Sequence, residues 1–501
     1  MKKILIAVFA VLALAAWVVP AMAVDTTFYG TYRVRLFNTN NASDYNDDQK
    51  TKTYTGVGSA TADGTGLTTD SNSWIDQRFR LGVDSKASDK LRGFVQLEMG
   101  DTTGQNRSHA WDGAIATGNS TDQRIYVRQA YISFNAGPVR VKAGRSVFGD
   151  TLDGGQSFRV SDDNQYYGIM DGGLIIVSQV DGFIFTTQKN LDPLNLIFGY
   201  VKLNEGNANS GARTISSSKD DTLYIIQAAH TPSDTMKVGA YFLYESDTDE
   251  TTGGARKPWW FGASLDAKFD PITLKIHAAK LGGKHDEGCA PGSCGIASTG
   301  GAADLKFSAY AIDADVSSMV GPAKVGFAAG IGSGDKSTED TKSQGFTGVA
   351  PSYGQQLGAR PAIFFDAGEV SNGGAVLSTA NSNGISNTTL TNVTFAEIYG
   401  SFKATDELSL NALVAGFWHT EEKRTTSSTN TNTWNSKLGT EVDLVAVYKL
   451  YKELALVAQA AWFMPGEGIR TSKNTAGNNA AGSIATDDKV SEYFARIQYD
   501  F

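Results

Sequence analysis

The sequence predicts an all-β chain closed into a transmembrane antiparallel β-barrel of about 18 strands, with about 16 as the alternative. Three observations predict it. Segments of about ten residues alternate apolar and polar side chains, period 2 rather than the helical 3.6. The connections between them alternate strictly between tight turns and long polar loops. Past residue 23 no apolar stretch reaches the roughly 20 residues a membrane helix needs. Only helices and closed barrels satisfy every backbone N–H and C=O in hydrocarbon, so a mature chain of this kind enters a membrane as a barrel.

Composition narrows the field. The 501 residues include 54 Gly, 11 Pro and 2 Cys, which excludes collagen, Pro-rich linkers and a disulfide-dense mini-domain. Lys+Arg 44 against Asp+Glu 53 gives a net charge of −9 with no run of like charge, which argues against a nucleic-acid partner. A mean hydropathy of −0.23 argues against a bundle of membrane helices.

At the start, Met1-Lys2-Lys3 is followed by an uncharged run from Ile4 to Val19 and by Pro20-Ala21-Met22-Ala23, which ends in a small-x-small pattern. Residues 1–23 therefore read as a cleaved signal peptide, and residues 24–501 as a single barrel domain.

The first strand, Thr27 to Phe37, sets Phe28, Tyr32, Val34 and Leu36 against Tyr29, Thr31, Arg33 and Arg35. Trp74 to Asp84 opposes Ile75, Phe79, Leu81 and Val83 to Asp76, Arg78 and Arg80, and Leu91 to Gly100 opposes Leu91, Val95, Leu97 and Met99 to Arg92, Gln96 and Glu98. The same reading places strands at Arg124 to Phe134, Val139 to Phe148, Leu174 to Lys189, Leu194 to Leu203, Thr222 to His230, Met236 to Glu245 and Trp259 to Phe269. It continues with Ile272 to Leu281, Leu305 to Ser317, Ala323 to Ile331, Val393 to Lys403, Leu408 to His419, Leu438 to Leu450, Leu454 to Met464 and Lys489 to Phe501. Within Leu174 to Lys189, Asp181-Gly182 is open to reading as a tight hairpin turn.

Turn-forming residues fill the short connections, as in Asn135-Ala136-Gly137-Pro138, Asp270-Pro271 and Thr405-Asp406-Glu407. Gly, Ser, Thr, Asn and Asp fill the long ones. That alternation is the signature of an outer-membrane barrel with periplasmic turns and extracellular loops. Trp259-Trp260-Phe261, Phe417-Trp418 and Trp462-Phe463 gather aromatic rings near strand ends, where membrane interfaces lie. The last strand alternates through Tyr493, Ala495, Ile497, Tyr499 and Phe501, and this tail resembles the C-terminal signal read by the outer-membrane assembly machinery.

The chain at this point resembles the Gram-negative outer-membrane porin superfamily. Thr27-Phe28-Tyr29-Gly30 is similar to its opening strand, and Tyr126-Val127-Arg128-Gln129-Ala130-Tyr131 through Val141-Lys142-Ala143-Gly144-Arg145 to the strand pair before its third loop. The strand count leans towards the substrate-specific and alginate-export-like groups. The resemblance implies integral residence in the bacterial outer membrane, among lipid and lipopolysaccharide.

Because one face of each strand meets lipid and the other the lumen, alternation nominates the pore lining. Arg33, Arg35, Arg78, Arg80, Arg92, Arg124, Arg128, Arg140 and Lys142 form a basic wall, whereas Arg145 falls on the opposite parity unless a bulge re-aims it. The remaining walls are mixed, with Asp266, Lys268, Lys275, Glu397, Glu441, Asp443 and Arg496 inward. Rows of Arg and Lys in a narrow passage select anions, and the competing role is to pair with carboxylates of folded-in loops. The loop from Gly149 to Gly173 carries Asp150, Asp153, Asp162, Asp163 and Asp171. The resemblance implies that this third loop folds inward as a constriction, which would set acids facing the basic wall; a solvated surface loop is the alternative.

Cys289 and Cys294, in a long loop of an exported chain, favour a local disulfide. No nucleophile elbow, phosphate loop or metal-ligand spacing emerges, so no enzyme, cofactor or metal is expected. The expected function is a water-filled channel for small hydrophilic, preferentially anionic solutes. A conduit for an acidic polysaccharide and a scaffold barrel sheathing an electron-transfer partner are the alternatives, and the oligomeric state is left open.

Overall fold

A computed structural model describes residues 24–40, 71–99, 125–152, 173–187, 193–204, 221–247, 255–285, 305–337, 341–349, 361–365, 390–427, 430–470, 472–473 and 489–501. The leader read over residues 1–23 lies outside the described residues.

Eighteen antiparallel strands form one closed wall. In chain order they are β1 (Asp25–Asn40), β2 (Ser71–Ser88), β3 (Leu91–Met99), β4 (Ile125–Ala136), β5 (Val139–Gly149) and β6 (Val177–Thr187). Next come β7 (Leu194–Asn204), β8 (Asp221–Ser233), β9 (Met236–Asp247), β10 (Arg256–Phe269), β11 (Ile272–His285) and β12 (Ala309–Val320). The last are β13 (Ala323–Gly332), β14 (Val393–Lys403), β15 (Leu408–His419), β16 (Lys437–Tyr451), β17 (Leu454–Pro465) and β18 (Val490–Asp500). Each strand pairs with its sequence neighbour, and β1 pairs with both β2 and β18, which removes any free edge. Two short segments, Leu305–Phe307 and Lys342–Ser343, extend the wall at the long-loop end. A small sheet from Lys423–Ser427, Asn430–Trp434 and Ser472–Lys473 stands apart from it.

Asp181 and Gly182 lie inside β6, paired on both sides, so no hairpin turn forms there. Leu174 to Ile176 belong to the preceding loop rather than to the strand. Several strands run beyond their predicted ends, as β2 does at both. The apolar alternation stops where lipid stops, but the hydrogen-bond ladder continues above it.

The alternation sorts side chains as read from sequence. On β1, Phe28 is 64% exposed on the outer surface, while Arg33, five residues on and so on the other face, is 1% exposed. Gly30, at the seam, must be small: a Cβ there would meet the Arg80 carbonyl and the Phe501 ring.

The main apolar core lies inside the barrel and is lopsided. Leu174, Ile175, Ile176, Phe346, Ile363, Phe364, Phe365 and Leu390, all from long loops, pack on inward residues of the wall such as Ile225, Leu243, Trp260, Phe395, Phe417 and Phe463. Among the described residues, none from β1 to β4 joins that core. The loops fill one side of the lumen; on the other, polar side chains accompany a smaller apolar cluster of Phe37, Val445, Val447, Val457 and Phe494.

Candidate functional site

The polar side is built on β18, β1, β2, β3 and β4. Odd positions of β1 point inward, so Thr31, Arg33 and Arg35 are buried in the lumen, as are Arg78 and Arg80 from even positions of β2 and Arg496 from β18. The antiparallel register sets Arg33 directly opposite Arg78, and Arg35 directly opposite Arg496. Directly opposed side chains are about 5 Å apart at Cβ, and like charges so placed destabilise a sheet. The guanidinium of Arg35 lies 4.9 Å from the centre of the Phe37 ring, and that of Arg496 5.9 Å from Phe494.

Acids stand beside this wall: Asp76 on β2 is opposite Arg35 in register, Glu492 is buried on β18, and Glu98 is on β3. Glu98 makes ion pairs with this wall. It pairs with Arg80, and with Arg128 Nε at 3.5 Å. Arg128 arrives there through a β-bulge: the register shifts between Gln96 and Leu97, so Gln129 and Val127 face consecutive residues of β3 and Arg128 is the extra residue between them. It donates to Gln96 Oε1 at 3.3 Å, which also accepts from Gln129 Nε2 at 3.0 Å. Arg145 keeps the outward parity, half exposed and 3.0 Å from Asp181.

Arg92, Arg140 and Lys142 sit towards the short-turn mouth. Arg92 Nε donates to Asp84 at 2.5 Å, Arg140 Nε to Asn135 Oδ1 at 3.3 Å, and Lys142 Nζ stands 5.3 Å from the centre of the Tyr131 ring. Phe94 packs between Tyr29 and Tyr131, at 6.0 and 5.1 Å. A cavity of about 430 Å³ opens beside them, lined by residues that include Asp84, Lys86, Arg92, Ser133 and Arg140. Arg124 lies outside the described residues.

Elsewhere around the wall, carboxylates serve as clasps for loops. Asp150 is fully buried, and its two oxygens accept the backbone N–H of Ile175 (3.0 Å) and Ile176 (3.2 Å), tying the exit of the third loop to its start. Burial pushes its carboxyl above the ordinary aspartate range. Tyr241 Oη donates to it at 3.4 Å, and His277 Nε2 stands 3.6 Å away. Gln227 donates to the Thr151 carbonyl at 2.5 Å, so the described stubs of this loop reach across to β8, β9 and β11. The expectation that Asp150 faces the basic wall is thereby corrected: its lone pairs go to backbone donors, the partners that a buried carboxylate needs. Asp153, Asp162, Asp163 and Asp171 lie outside the described residues, as do Cys289 and Cys294.

A second clasp was not read from sequence. Glu441 and Asp443, inward on β16, hold the segment Pro361 to Phe365 of the loop between β13 and β14. Glu441 accepts from Ile363 N at 2.7 Å and Phe364 N at 2.9 Å, and Asp443 accepts from Ala362 N at 2.9 Å. Phe364 stacks on Phe417 with ring centres 3.7 Å apart, and Phe365 meets Phe395 and Phe417 edge to face. The signal was there: Pro361-Ala362-Ile363-Phe364-Phe365 is an apolar run in an otherwise polar loop.

At the seam, Tyr493, Ala495, Ile497, Tyr499 and Phe501 all point outward. Gly30 and Phe501 exchange backbone hydrogen bonds of 2.8 and 3.0 Å, and the Phe501 ring stacks between Tyr499 (5.7 Å) and Phe79 (6.0 Å). Among the described residues, no group of three His, Cys, Asp or Glu is placed to hold a metal ion.

No protein-family model matches the chain, and no curated protein matches its sequence. Solved structures do share its architecture. OccK9 (OpdG) of Pseudomonas aeruginosa matches with a TM-score of 0.50 at 13% identity, covering 95% of this chain and 98% of its own. The outer membrane protein opdK of the same organism matches at 0.48 and 10%, covering 95% and 98%. OmpT of Vibrio cholerae matches at 0.38 and 11%, covering 96% and 98%. The likeness is one of fold: a closed antiparallel β-barrel.

Proposed function

We propose that this chain is an integral outer-membrane channel that lets small hydrophilic solutes diffuse through its lumen and prefers anions. The observation that carries the reading is the inward cluster of Arg33, Arg35, Arg78, Arg80 and Arg496, set by the register on the side of the lumen that the main apolar core does not reach. A passage lined on one side by guanidinium groups, with low-dielectric walls around it, concentrates anions and repels cations.

The clasped loop segments speak against a barrel that sheathes a folded partner, because Ile175, Phe346 and Phe364 already occupy part of the interior. The outward aromatic tail ending in Phe501 is the segment we assign to the assembly machinery. The test is the reversal potential of the purified channel in a planar bilayer under a KCl gradient. An anion-directed potential is expected, shrinking as salt rises and the Debye length falls from about 10 Å at 0.1 M to about 3 Å at 1 M; a cation-directed potential would sink the reading.

A further inference from the structure

At the long-loop end of β8 and β9 the inward face changes from apolar to acidic. Leu223 on β8 and Leu243 on β9 are buried in the main core. Side chains two residues apart on a strand share a face, so the next inward positions towards the long loops are Asp221 and Glu245. The register sets Glu245 opposite Leu223 and Asp221 opposite Asp247, which makes Asp221 and Glu245 diagonal neighbours, about 7 Å apart.

Glu245 is 6% exposed, and among the described residues no hydrogen bond or ion pair reaches its carboxylate. The Oδ1 atom of Asp221 is likewise buried without a hydrogen-bond partner. Cations act on the pair only at longer range: Arg256 on both, and Lys202 on Asp221. Arg256 stacks over the Phe307 ring at 5.8 Å, and Lys202 stands between Asp181 and Thr222 in the outward row. Asp247 has an interaction of its own and is not counted with the two. A carboxylate withdrawn from water is costly unless a cation or donors meet it. Here two stand side by side above an apolar floor, where the local dielectric is low and a partner is worth most.

We propose that Asp221 and Glu245 form a site for the primary ammonium group of a small organic solute at the long-loop mouth of the barrel. An ammonium carries three donors and reaches oxygens at about 2.8 Å, so it bridges carboxylate oxygens spaced about 5 Å apart. A divalent metal ion needs several ligands at about 2.0–2.6 Å, and among the described residues no group of three acids, histidines or cysteines is placed for that. A quaternary ammonium has no N–H to give to the oxygens. The site lies away from the inward arginines and takes the opposite charge, so it does not rest on the anion reading.

The test titrates the folded barrel in detergent at neutral pH with the chlorides of n-butylammonium, tetramethylammonium and magnesium, by isothermal titration calorimetry. Saturable binding of n-butylammonium is expected, with none of tetramethylammonium and no displacement by magnesium. Asp221→Asn with Glu245→Gln should weaken binding by about tenfold or more, because the bonds that remain are no longer charge-assisted on both sides. Glu245→Gln alone should weaken it by a smaller factor, and it decides the matter if the double variant loses the heat-modifiable migration of a folded barrel. Glu407→Gln with Glu453→Gln, at the short-turn end, should leave binding unchanged. Absence of saturable binding to the parent would mean that the two carboxyls hold protons rather than a cation, and would overturn the proposal. Equal binding by the parent and the Glu245 variants, equal binding of tetramethylammonium, or displacement by magnesium would overturn it too. Calorimetry reads no current, so this result stands or falls separately from the channel reading.

Discussion

Two regions of the lumen both bury charged side chains, and they treat them in opposite ways. On β16, Glu441 and Asp443 spend their oxygens on the backbone N–H groups of residues 362 to 364, and Asp150 does the same for residues 175 and 176. On β18, β1 and β2, arginines face arginines across the register. A buried carboxylate is a natural clasp because a loop offers consecutive donors at its backbone, and each charge-assisted bond is strong where water is excluded. A guanidinium carries only donors. These acids therefore organise the loops, while under the proposed function the inward arginines set the charge that a passing solute meets.

The comparison is broken most directly at the β16 clasp. Replacing Glu441 and Asp443 together by Ala would strand three backbone N–H groups beneath Phe364 and Phe365, at about 1–3 kcal/mol for each donor left without an acceptor. The expected outcome is release of the 361–365 segment: a lower unfolding temperature in heat-modifiability gels and a larger single-channel conductance. Unchanged conductance would mean that the aromatic stacking on Phe417 alone keeps the segment in the lumen.

The arginine side predicts the reverse pattern, a change of selectivity with little change of stability. Arg33→Gln with Arg78→Gln removes two inward guanidinium groups and touches neither loop clasp, so the closed barrel should still form. The reversal potential under a KCl gradient should move towards cations. Arg80→Gln with Arg128→Gln tests a different arrangement, because both side chains contact Glu98. Their loss leaves a buried carboxylate without those two partners, so this variant should lose stability and shift further towards cations than the first pair. Equal shifts in both variants would show that Glu98 does not contribute to the field.

How much of this was readable before the structure follows from periodicity. Inward and outward sorting on β1 and β2 needs only period 2, so Arg33, Arg35, Arg78 and Arg80 were placed from sequence alone. Arg128 follows the alternation with the outward Ile125 and Val127, and the bulge after it moves the inward set to Gln129 and Ser133, a shift that period 2 alone does not show. The clasps were unreadable in their partners, since nothing in the carboxylates of β16 says which backbone they will meet.

The smallest expected effect concerns pH, and it separates clasp from charge on the side the acids organise. Burial raises the Asp150 carboxyl above its ordinary value near 4, so between that value and the raised one the folded chain holds a proton that the unfolded chain has released. Folding stability contributed by this group therefore falls as pH rises through that window and levels off above it. Asp150→Asn keeps an oxygen for Ile175 or Ile176 and has no charge to desolvate. It should stand close to the parent at acid pH, gain on it as pH rises, and flatten this part of the profile. Asp150→Ala, which removes both acceptors, should be less stable than Asn at every pH, by about 1–3 kcal/mol. Unfolding temperatures at pH 4, 6 and 8 for the parent and the two variants decide the matter. If Asn and Ala behave alike, the hydrogen bonds to Ile175 and Ile176 are not what hold the third loop to the wall. If the parent and Asn share one pH profile, the buried charge of Asp150 carries no energetic weight, and the likeness drawn between Asp150 and the β16 carboxylates rests on geometry alone.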